Sequence, residues 1–339
     1  MTAMRSQSFV FDPLPDGNGL KMAANRYTSG DSPLQTAGLT LILAHGSGLH
    51  KECWEPTLSK LFQIQASEDR SCRIREAWAF DWQSHGDSAL LNESAARKDP
   101  ISTLDWGLAI NEFAKSEHVR GHRLVLIGHS AGASAVMCCA KFHIEKHVLY
   151  SGIILVEPLL IDKDVYHQNL EDRELHMKAV AKIVASVRSV WKSTDDAFQW
   201  MSRRPPWNTW DPRVLRIHAN HGLRPARDEK GDACVAVKCS DRYEASTFSD
   251  LENVFAATDL IGAACQSMPV YAIFGEINDF VPRYSQDSVV DVSKGRHVRS
   301  IIRMPGVGHM IVQEKPDVLA ATLWDVLVDA FTFPHSARL

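Results

Sequence analysis

The stretch LVLIGHSAGAS (residues 124–134) runs from a continuous apolar segment into a serine flanked by glycines. A continuous apolar segment is typical of a strand that is buried on both faces of a parallel sheet. The pentapeptide GHSAG (residues 128–132) follows it and precedes a helical pattern, which is the strand–turn–helix context of the G-x-S-x-G nucleophile turn. Small neighbours suit this turn because the serine backbone is strained and the strand and helix approach closely. The stretch therefore predicts Ser130 as a nucleophile.

Alternating strand and helix patterns surround this turn. The segments LTLILAHG and IREAWAFD before it, and SGIILVEP, PVYAIFGE and VRSIIRMPG after it, are typical of strands. Such alternation predicts an α/β fold with a mostly parallel sheet and helices on both faces. It stops over residues 159–264, where the pattern is helical or irregular and four tryptophans lie. We therefore predict a core of residues 1–158 and 265–339, and a helical lid of residues 159–264 inserted after the sixth strand.

Length and charge narrow the functional classes. A chain of 339 residues accommodates one α/β domain with an insertion. The formal net charge of −4 gives no electrostatic argument for nucleic acid or an anionic membrane as a partner. No apolar run approaches the roughly 18 residues that a membrane helix requires. The N-terminal segment lacks the apolar centre of a secretory signal, so we expect the chain to remain inside the cell.

The cysteines do not indicate a metal centre or a disulfide framework. There are seven, with no repeated Cys-x-x-Cys or Cys/His ligand spacing. We expect reduced, mostly buried thiols, no structural zinc and no cofactor. No feature of the sequence predicts an oligomeric state.

A serine hydroxyl becomes an effective nucleophile when a base accepts its proton. Of the fifteen histidines, His309 follows the last predicted strand through a glycine-containing turn and precedes the final helix. This is where a G-x-S-x-G fold places its base. We expect His129, inside the pentapeptide, to point away from the site.

The acid that orients His309 has two candidates. In the common pattern, an acid after the seventh strand lies three residues beyond a glycine and four before a proline, and GEINDFVP has Asn278 at that position. Asp279 is one residue later. Glu157, at the end of the sixth strand, occupies the other position used for this acid. We favour Glu157 and retain Asp279 as the alternative.

The oxyanion of an acyl-transfer intermediate requires two backbone N–H donors. One is expected from Ala131, the residue after the nucleophile, and the other from the loop after the third strand. That loop, HGSGLHKECWEP (residues 45–56), places Ser47 at the donor position.

These motifs together resemble the α/β-hydrolase superfamily. The resemblance rests on the pentapeptide, HGSGLHKECWEP, FDWQSHGDSA (residues 80–89), VKCSDRYEASTF (residues 237–248) and GVGH (residues 306–309). More narrowly, the chain is similar to fungal serine hydrolases of toxin and polyketide pathways and of peroxisomes, a group that includes a mycophenolic-acid-pathway acyl-CoA hydrolase and peroxisomal lipase-like proteins. The resemblance implies a serine triad with its acid after strand six, hence Glu157, and hydrolysis of an ester or thioester without a metal. Family members with a nucleophilic aspartate differ from this chain at Ser130.

The lid is expected to cover the site and select the substrate, a small acyl ester or acyl-CoA. Within RRPPWNTWDPR (residues 203–213), Trp207 and Trp210 are candidate substrate-binding residues. One hypothesis is that Arg203, Arg204 and Arg213 contact the phosphates of coenzyme A. The alternative is a solvated basic loop.

Other functions remain compatible with these residues. The same triad serves a lactonase, a cyclase or a lipase, and a protein with this fold can bind a ligand without catalysis. The final residues Ala337, Arg338 and Leu339 form a conservative variant of the peroxisomal signal Ser-Lys-Leu. We therefore expect a peroxisomal import receptor as a partner and a peroxisomal location, with the cytoplasm as the alternative.

Overall fold

The computed structural model describes residues 3–14, 19–68, 72–95, 100–239 and 250–331. The predicted C-terminal signal and part of the segment 237–248 lie outside these described residues. In chain order the strands are β1 (Met4–Phe11), β2 (Met22–Ser29), β3 (Leu39–Ala44), β4 (Ile74–Phe80), β5 (Arg123–His129), β6 (Tyr150–Val156), β7 (Val190–Trp191), β8 (Leu223–Arg227), β9 (Ala233–Val237), β10 (Val270–Gly275) and β11 (Ser300–Met304). The described helices, numbered here in chain order, are α1 (Glu55–Ser67), α2 (Gly86–Leu91), α3 (Thr103–Lys115), α4 (Ala131–Ile144), α5 (Lys163–Gln168), α6 (Leu170–Ser186), α7 (Thr194–Met201), α8 (Pro212–His221), α9 (Leu251–Ser267), α10 (Arg283–Val289), α11 (Ile311–Glu314) and α12 (Pro316–Phe331).

Eight strands form the central sheet in the order β1-β2-β4-β3-β5-β6-β10-β11. The pairs β1–β2 and β2–β4 are antiparallel, and the remaining pairs are parallel. The central strands are continuous apolar segments because both of their faces are covered. This topology confirms the predicted mostly parallel sheet.

The hydrophobic core lies in two layers, one on each face of the sheet. Successive residues of a strand point to opposite faces, so Leu41 and Leu43 of β3 enter one layer while Ile42 and Ala44 enter the other. Helices α1 and α12 cover the first layer, and α3, α4 and α9 cover the second. Strands β5, β6, β10 and β11 are parallel, so their carboxyl ends lie at the same edge of the sheet. The candidate site lies at this edge.

The inserted segment is not wholly helical. Strands β7, β9 and β8 form a three-stranded antiparallel sheet within it. These strands are short and only partly buried, and β8 contains Pro225, so they lack the continuous apolar pattern that marks the central strands.

Helix α9, which the sequence places mainly in the lid, packs on the core instead. Its residues Val254, Phe255 and Ile261 belong to the same buried cluster as residues of α3 and α4. We therefore propose that the described part of the lid comprises residues 159–239. Among the described helices, none combines the length and apolar character needed to cross a membrane.

Candidate active site

Ser130 occupies the tight turn between β5 and α4, with φ 55° and ψ −121°. A Cβ at Gly128 would overlap the carbonyl oxygen of Gly132, and one at Gly132 would overlap the backbone of Ala44. Only glycine at these positions lets the strand and helix approach this closely. The Ser130 amide donates to the Val156 carbonyl at 3.1 Å, which ties the strained residue to β6.

His309 lies beside this serine. Its Nε2 atom is 2.9 Å from the Ser130 Oγ atom, a hydrogen-bonding distance. The histidine follows β11 through the turn that contains Gly306, which has φ 63°, and precedes α11. Both side chains are almost fully buried, with 5% of Ser130 and 6% of His309 exposed. A candidate nucleophile and a candidate base, 179 positions apart in the chain, therefore meet at the carboxyl edge of the sheet.

Glu157 contacts the other ring nitrogen of His309. Its Oε2 atom lies 3.1 Å from Nδ1, and the residue is 1% exposed directly after β6. The Oε1 atom accepts hydrogen bonds from the Gly275 amide at 2.7 Å and from Gln286 Nε2 at 3.1 Å. These two donors fix the carboxylate in the orientation that presents its second oxygen to the imidazole.

Asp279 contacts the backbone of the same turn. Its Oδ1 atom accepts a hydrogen bond from the His309 amide at 2.8 Å. A Cβ at Gly308 would overlap this carboxylate, so the carboxylate packs directly against the glycine. The two candidate acids thus differ in their contacts: Glu157 touches the imidazole, and Asp279 holds the turn that carries it.

Two further residues support His309, and sequence reasoning missed their role. The ring of His129 does not point away from His309, because its Nε2 atom lies 2.9 Å from the His309 carbonyl oxygen. Burial lowers the pKa of His129 to about 3, so the ring is neutral and donates from Nε2. The ring of Phe280 stacks on the His309 ring at 4.6 Å between centroids. In the sequence, Phe280 directly follows the candidate acid Asp279, and this position was the signal that could have identified Phe280 as part of the site.

The predicted oxyanion loop passes beside the nucleophile. A Cβ at Gly46, the residue before Ser47, would lie 3.2 Å from the Ser130 Cβ. Ala131 is the first residue of α4, so its amide is at the helix N terminus, where N–H groups lack partners within the helix and favour negative charge. Ala131 therefore directly follows the nucleophile, and Gly46, the neighbour of Ser47, packs against it.

Buried charges anchor the second half of this loop. Lys51 is 2% exposed, and its Nζ atom lies 2.9 Å from Asp81, 2.6 Å from Asp87 and 2.7 Å from Glu52. Burial opposes a charge on Lys51, but the Asp81 and Glu52 carboxylates outweigh burial and raise its pKa. The adjacent charged residues Lys51 and Glu52 in HGSGLHKECWEP were a signal for this network. The predictions from sequence did not use that signal.

A cavity of about 140 Å³ extends from this loop under the lid. Its lining includes Ser47, Met310 next to the candidate base, and the lid residues Trp207 and Trp210. Trp210 is 5% exposed and packs edge-on against His218. The two predicted lid tryptophans are therefore placed where a substrate could contact them.

The predicted arginines do not line this cavity. Arg203 and Arg204 are exposed, and the Arg204 guanidinium lies over the Trp200 ring at 4.5 Å. Arg213 pairs with Asp211 and Asp317.

Arg204 and Arg213 thus contact an aromatic face and two carboxylates, and neither of them belongs to the lining of this cavity. Within the described part of the chain, one arginine, Arg188, and one lysine, Lys238, line the cavity.

A mostly parallel eight-stranded sheet, a serine in a strand–turn–helix and a histidine after the last strand define an α/β hydrolase. The chain belongs to the Alpha/beta hydrolase family, whose model matches residues 41–322.

Two proteins illustrate the similarity of this chain to others in sequence. The type I acyl-CoA thioesterase mpaH' of Penicillium brevicompactum is 32% identical over 237 residues, which is 68% of this chain and 45% of that protein. The peroxisomal membrane protein LPX1 of Saccharomyces cerevisiae is 27% identical over 151 residues, which is 42% of this chain and 38% of that protein. The chain spans less than half the length of either relative in these alignments.

Solved structures agree in fold. The peroxisomal α/β-hydrolase Lpx1 of S. cerevisiae superposes with a TM-score of 0.74 at 17% identity, covering 99% of this chain and 92% of that one. The thioesterase domain from the curacin biosynthetic pathway gives 0.62 at 15% identity, covering 96% and 99%. At this level of identity the likeness concerns the fold alone.

Proposed function

We propose that this protein is a serine hydrolase that cleaves a carboxylic ester or thioester through an acyl-enzyme. Ser130 is the nucleophile, His309 the general base and acid, and Glu157 the acid that orients His309. The observation that carries the proposal is the unbroken series of contacts from Ser130 Oγ through His309 to Glu157 Oε2.

The first half-reaction acylates Ser130. As Oγ attacks the acyl carbon, its proton passes to His309 Nε2, and the imidazolium is stabilised by Glu157 at Nδ1. His309 then gives this proton to the leaving alkoxide or thiolate, and the bond between the acyl carbon and the leaving group breaks. In the second half-reaction, water attacks the acyl carbon and gives a proton to His309. His309 then passes this proton to Ser130 Oγ as the bond between Oγ and the acyl carbon breaks, which releases the carboxylic acid. The Ser47 and Ala131 amides bind the oxyanion in both steps.

An acyl-CoA is the substrate class we favour. One relative is named an acyl-CoA thioesterase, and the cavity combines the apolar faces of Trp207 and Trp210 with the cations of Arg188 and Lys238. Apolar and aromatic walls suit an acyl chain, and cations suit phosphates. Simple esters, lactones and triglycerides are the alternatives, since the same triad would cleave them.

Two experiments test the function. A fluorophosphonate probe should label the wild-type protein and fail to label Ser130→Ala, because the probe reacts with an activated serine. Absence of labelling in folded wild-type protein would instead favour a non-catalytic ligand-binding role. A hydrolysis panel of acyl-CoAs, matching p-nitrophenyl esters, triglycerides and lactones then identifies the substrate class. Equal rates on an acyl-CoA and its matching ester would contradict the preference for coenzyme A.

We also propose that Ala337, Arg338 and Leu339 direct the protein to peroxisomes through the import receptor. The peroxisomal names of one sequence relative and of one solved structure support this. A fluorescent protein fused to the N terminus should colocalise with a peroxisomal marker. Deleting the three residues should make the signal diffuse, and unchanged colocalisation would contradict the proposal.

A further inference from the structure

Two histidines and a cysteine outside the proposed triad meet where the lid contacts the core. His50 and Cys53 belong to the oxyanion loop, residues 45–56, and His218 lies on α8 of the lid. One potential ligand atom from each residue lies within 4.8 Å of the other two. His50 is 1% exposed and Cys53 is fully buried. Imidazole nitrogen and thiolate sulfur are the ligands that zinc and similar transition metals prefer.

The distance between the ligand atoms of His50 and Cys53 matches metal coordination. Zinc binds thiolate sulfur at about 2.3 Å and imidazole nitrogen at about 2.0–2.1 Å in a tetrahedron, which separates these two ligand atoms by about 3.6 Å. The distance between Cys53 Sγ and His50 Nε2 is 3.6 Å. A thiol–imidazole hydrogen bond gives the same distance, so the third residue and the surrounding groups decide between the two interpretations.

Glu52 orients His50 as it would orient a metal ligand. Its Oε2 atom lies 2.9 Å from His50 Nδ1, which leaves Nε2 directed at Cys53. The other carboxylate oxygen is held by Lys51 Nζ at 2.7 Å and by Asn25 Nδ2 at 3.1 Å. A carboxylate behind the imidazole is the usual outer partner of a zinc-bound histidine because it fixes the ring and increases its basicity.

His218 supplies the third candidate ligand. Its ring is stacked on the His50 ring, with 5.3 Å between centroids and 8° between planes. Its Nδ1 atom is buried and has no hydrogen-bond partner within the described part of the chain. Buried polar atoms normally have a partner, and a metal ion bound at this nitrogen would provide one.

We propose that His50, Cys53 and His218 form a binding site for a divalent transition-metal ion, with Zn²⁺ as the ion that best matches two imidazoles and a thiolate. His50 and His218 both line the cavity under the lid, so a water molecule from the cavity supplies the fourth ligand. The ion links lid helix α8 to the segment that carries Ser47, and it stabilises the lid against the core. This site is independent of the triad, so its failure would leave the proposed hydrolysis untouched.

Cobalt is the probe for the site, because tetrahedral Co²⁺ with a thiolate ligand has a sulfur-to-metal charge-transfer band. The full-length protein is treated with a chelator, exchanged into chelator-free buffer with a phosphine reductant, and titrated with Co²⁺. We expect the band to saturate at about one ion per chain. Zn²⁺ should abolish the band by displacement, and adding Zn²⁺ should raise the Tm because the ion binds the folded state.

Variants assign the ligands. Cys53→Ser should lose the band, and His218→Gln should weaken Co²⁺ binding by more than about tenfold, since removing a ligand exceeds the usual effect of changing an outer partner. Cys234→Ser and His221→Gln are matched controls. Cys234 is a half-buried thiol on β9, and the exposed His221 ring lies 6.3 Å from the His50 ring, outside the cluster. Both controls should bind Co²⁺ like the wild type.

The wild-type titration decides the proposal even where a variant fails to fold. A folded wild-type protein with no charge-transfer band at saturating Co²⁺ would overturn the proposal and leave a thiol–imidazole hydrogen bond. A band that persists in folded Cys53→Ser would also overturn it, because another thiol would then be the ligand.

Discussion

Glu157 reaches the Nδ1 atom of His309 from the end of β6, at 3.1 Å, across 152 positions of sequence. The two residues follow β6 and β11, which are both neighbours of β10 in the central sheet. Because parallel strands bring their carboxyl ends to one edge, residues remote in the chain meet there. Asp279, much closer in sequence to His309, contacts only its backbone amide in the described structure.

The two acids should differ in their contribution to catalysis. Glu157→Gln should lower kcat by about 10²–10⁴-fold, because an amide no longer stabilises the imidazolium. Asp279→Asn retains an oxygen acceptor for the His309 amide and should lower kcat by less than about tenfold, as expected for weakening one hydrogen bond by about 1 kcal/mol. Steady-state kinetics on an ester that the wild type cleaves measures both effects. The opposite ranking would transfer the acid's role to Asp279.

Gly132 should tolerate no side chain. In Gly132→Ala the new Cβ would overlap the backbone of Ala44, the last residue of β3, and of His45 directly after it. We expect the free energy of unfolding to fall by about 1–3 kcal/mol or more. Urea unfolding monitored by circular dichroism measures the change. Gly262→Ala is the matched control on helix α9, where the nearest atom would be 3.2 Å from the Cβ, and it should change stability by less than about 1 kcal/mol. Equal losses in the two variants would contradict this account of the turn.

Lys51 should stabilise the oxyanion segment strongly. Lys51→Met leaves the fully buried Asp81 carboxylate without its cation, and removing one partner of a buried ion pair costs about 3–5 kcal/mol. Lys238→Met removes a partner only from Asp87, whose side chain is 44% exposed, and should cost less than about 1 kcal/mol. Chemical denaturation compares the two variants. A loss in Lys51→Met no larger than in Lys238→Met would show that the network adds nothing to stability.

Asp162 should make folding stability sensitive to acid. Burial would raise the pKa of its carboxyl, but Lys294 and Arg296, at 2.7 and 2.8 Å, outweigh burial and lower the pKa to about 2. The pKa of Asp162 in the folded protein lies below the unfolded value of about 3.9. The stabilisation of the folded state by these ion pairs is therefore present above pH 4 and is lost as the pH falls towards 2. The free energy of unfolding of Asp162→Asn should therefore vary less between pH 4 and pH 2 than that of the wild type. Asp164→Asn, which alters an exposed partner of Lys294, should retain the wild-type slope. If the free energy of unfolding of Asp162→Asn falls with pH as steeply as that of the wild type, Asp162 is not the source of the acid sensitivity.

Arg188, rather than Arg203, should contribute to recognition of an acyl-CoA. Arg188 lines the cavity, while Arg203 is exposed outside it. Arg188→Gln should raise KM for an acyl-CoA by about tenfold, which corresponds to about 1.4 kcal/mol, and leave KM for the matching p-nitrophenyl ester unchanged. Arg203→Gln should change neither value. An equal increase for both substrates in Arg188→Gln would indicate a general effect on the cavity rather than a phosphate contact.

The sequence predicted the features that depend on local pattern. The apolar run before Ser130 marks a strand buried on both faces, and the glycines around it mark a close approach of strand and helix. Each of these signals lies within a few residues of the feature it predicts. The lid was harder to predict, because the short and half-buried strands β8 and β9 carry no continuous apolar pattern, and α9 has a helical pattern whether it packs on the lid or on the core.

The sequence by itself determined the sheet, the turn that holds Ser130 and the placement of His309 after the last strand. Only the tertiary structure decided which acid touches His309, which cations face the cavity and that His218 lies beside His50 and Cys53. The reason is physical: backbone conformation and burial follow from neighbouring residues, whereas contacts between side chains depend on where packed elements place residues that the chain separates by more than a hundred positions.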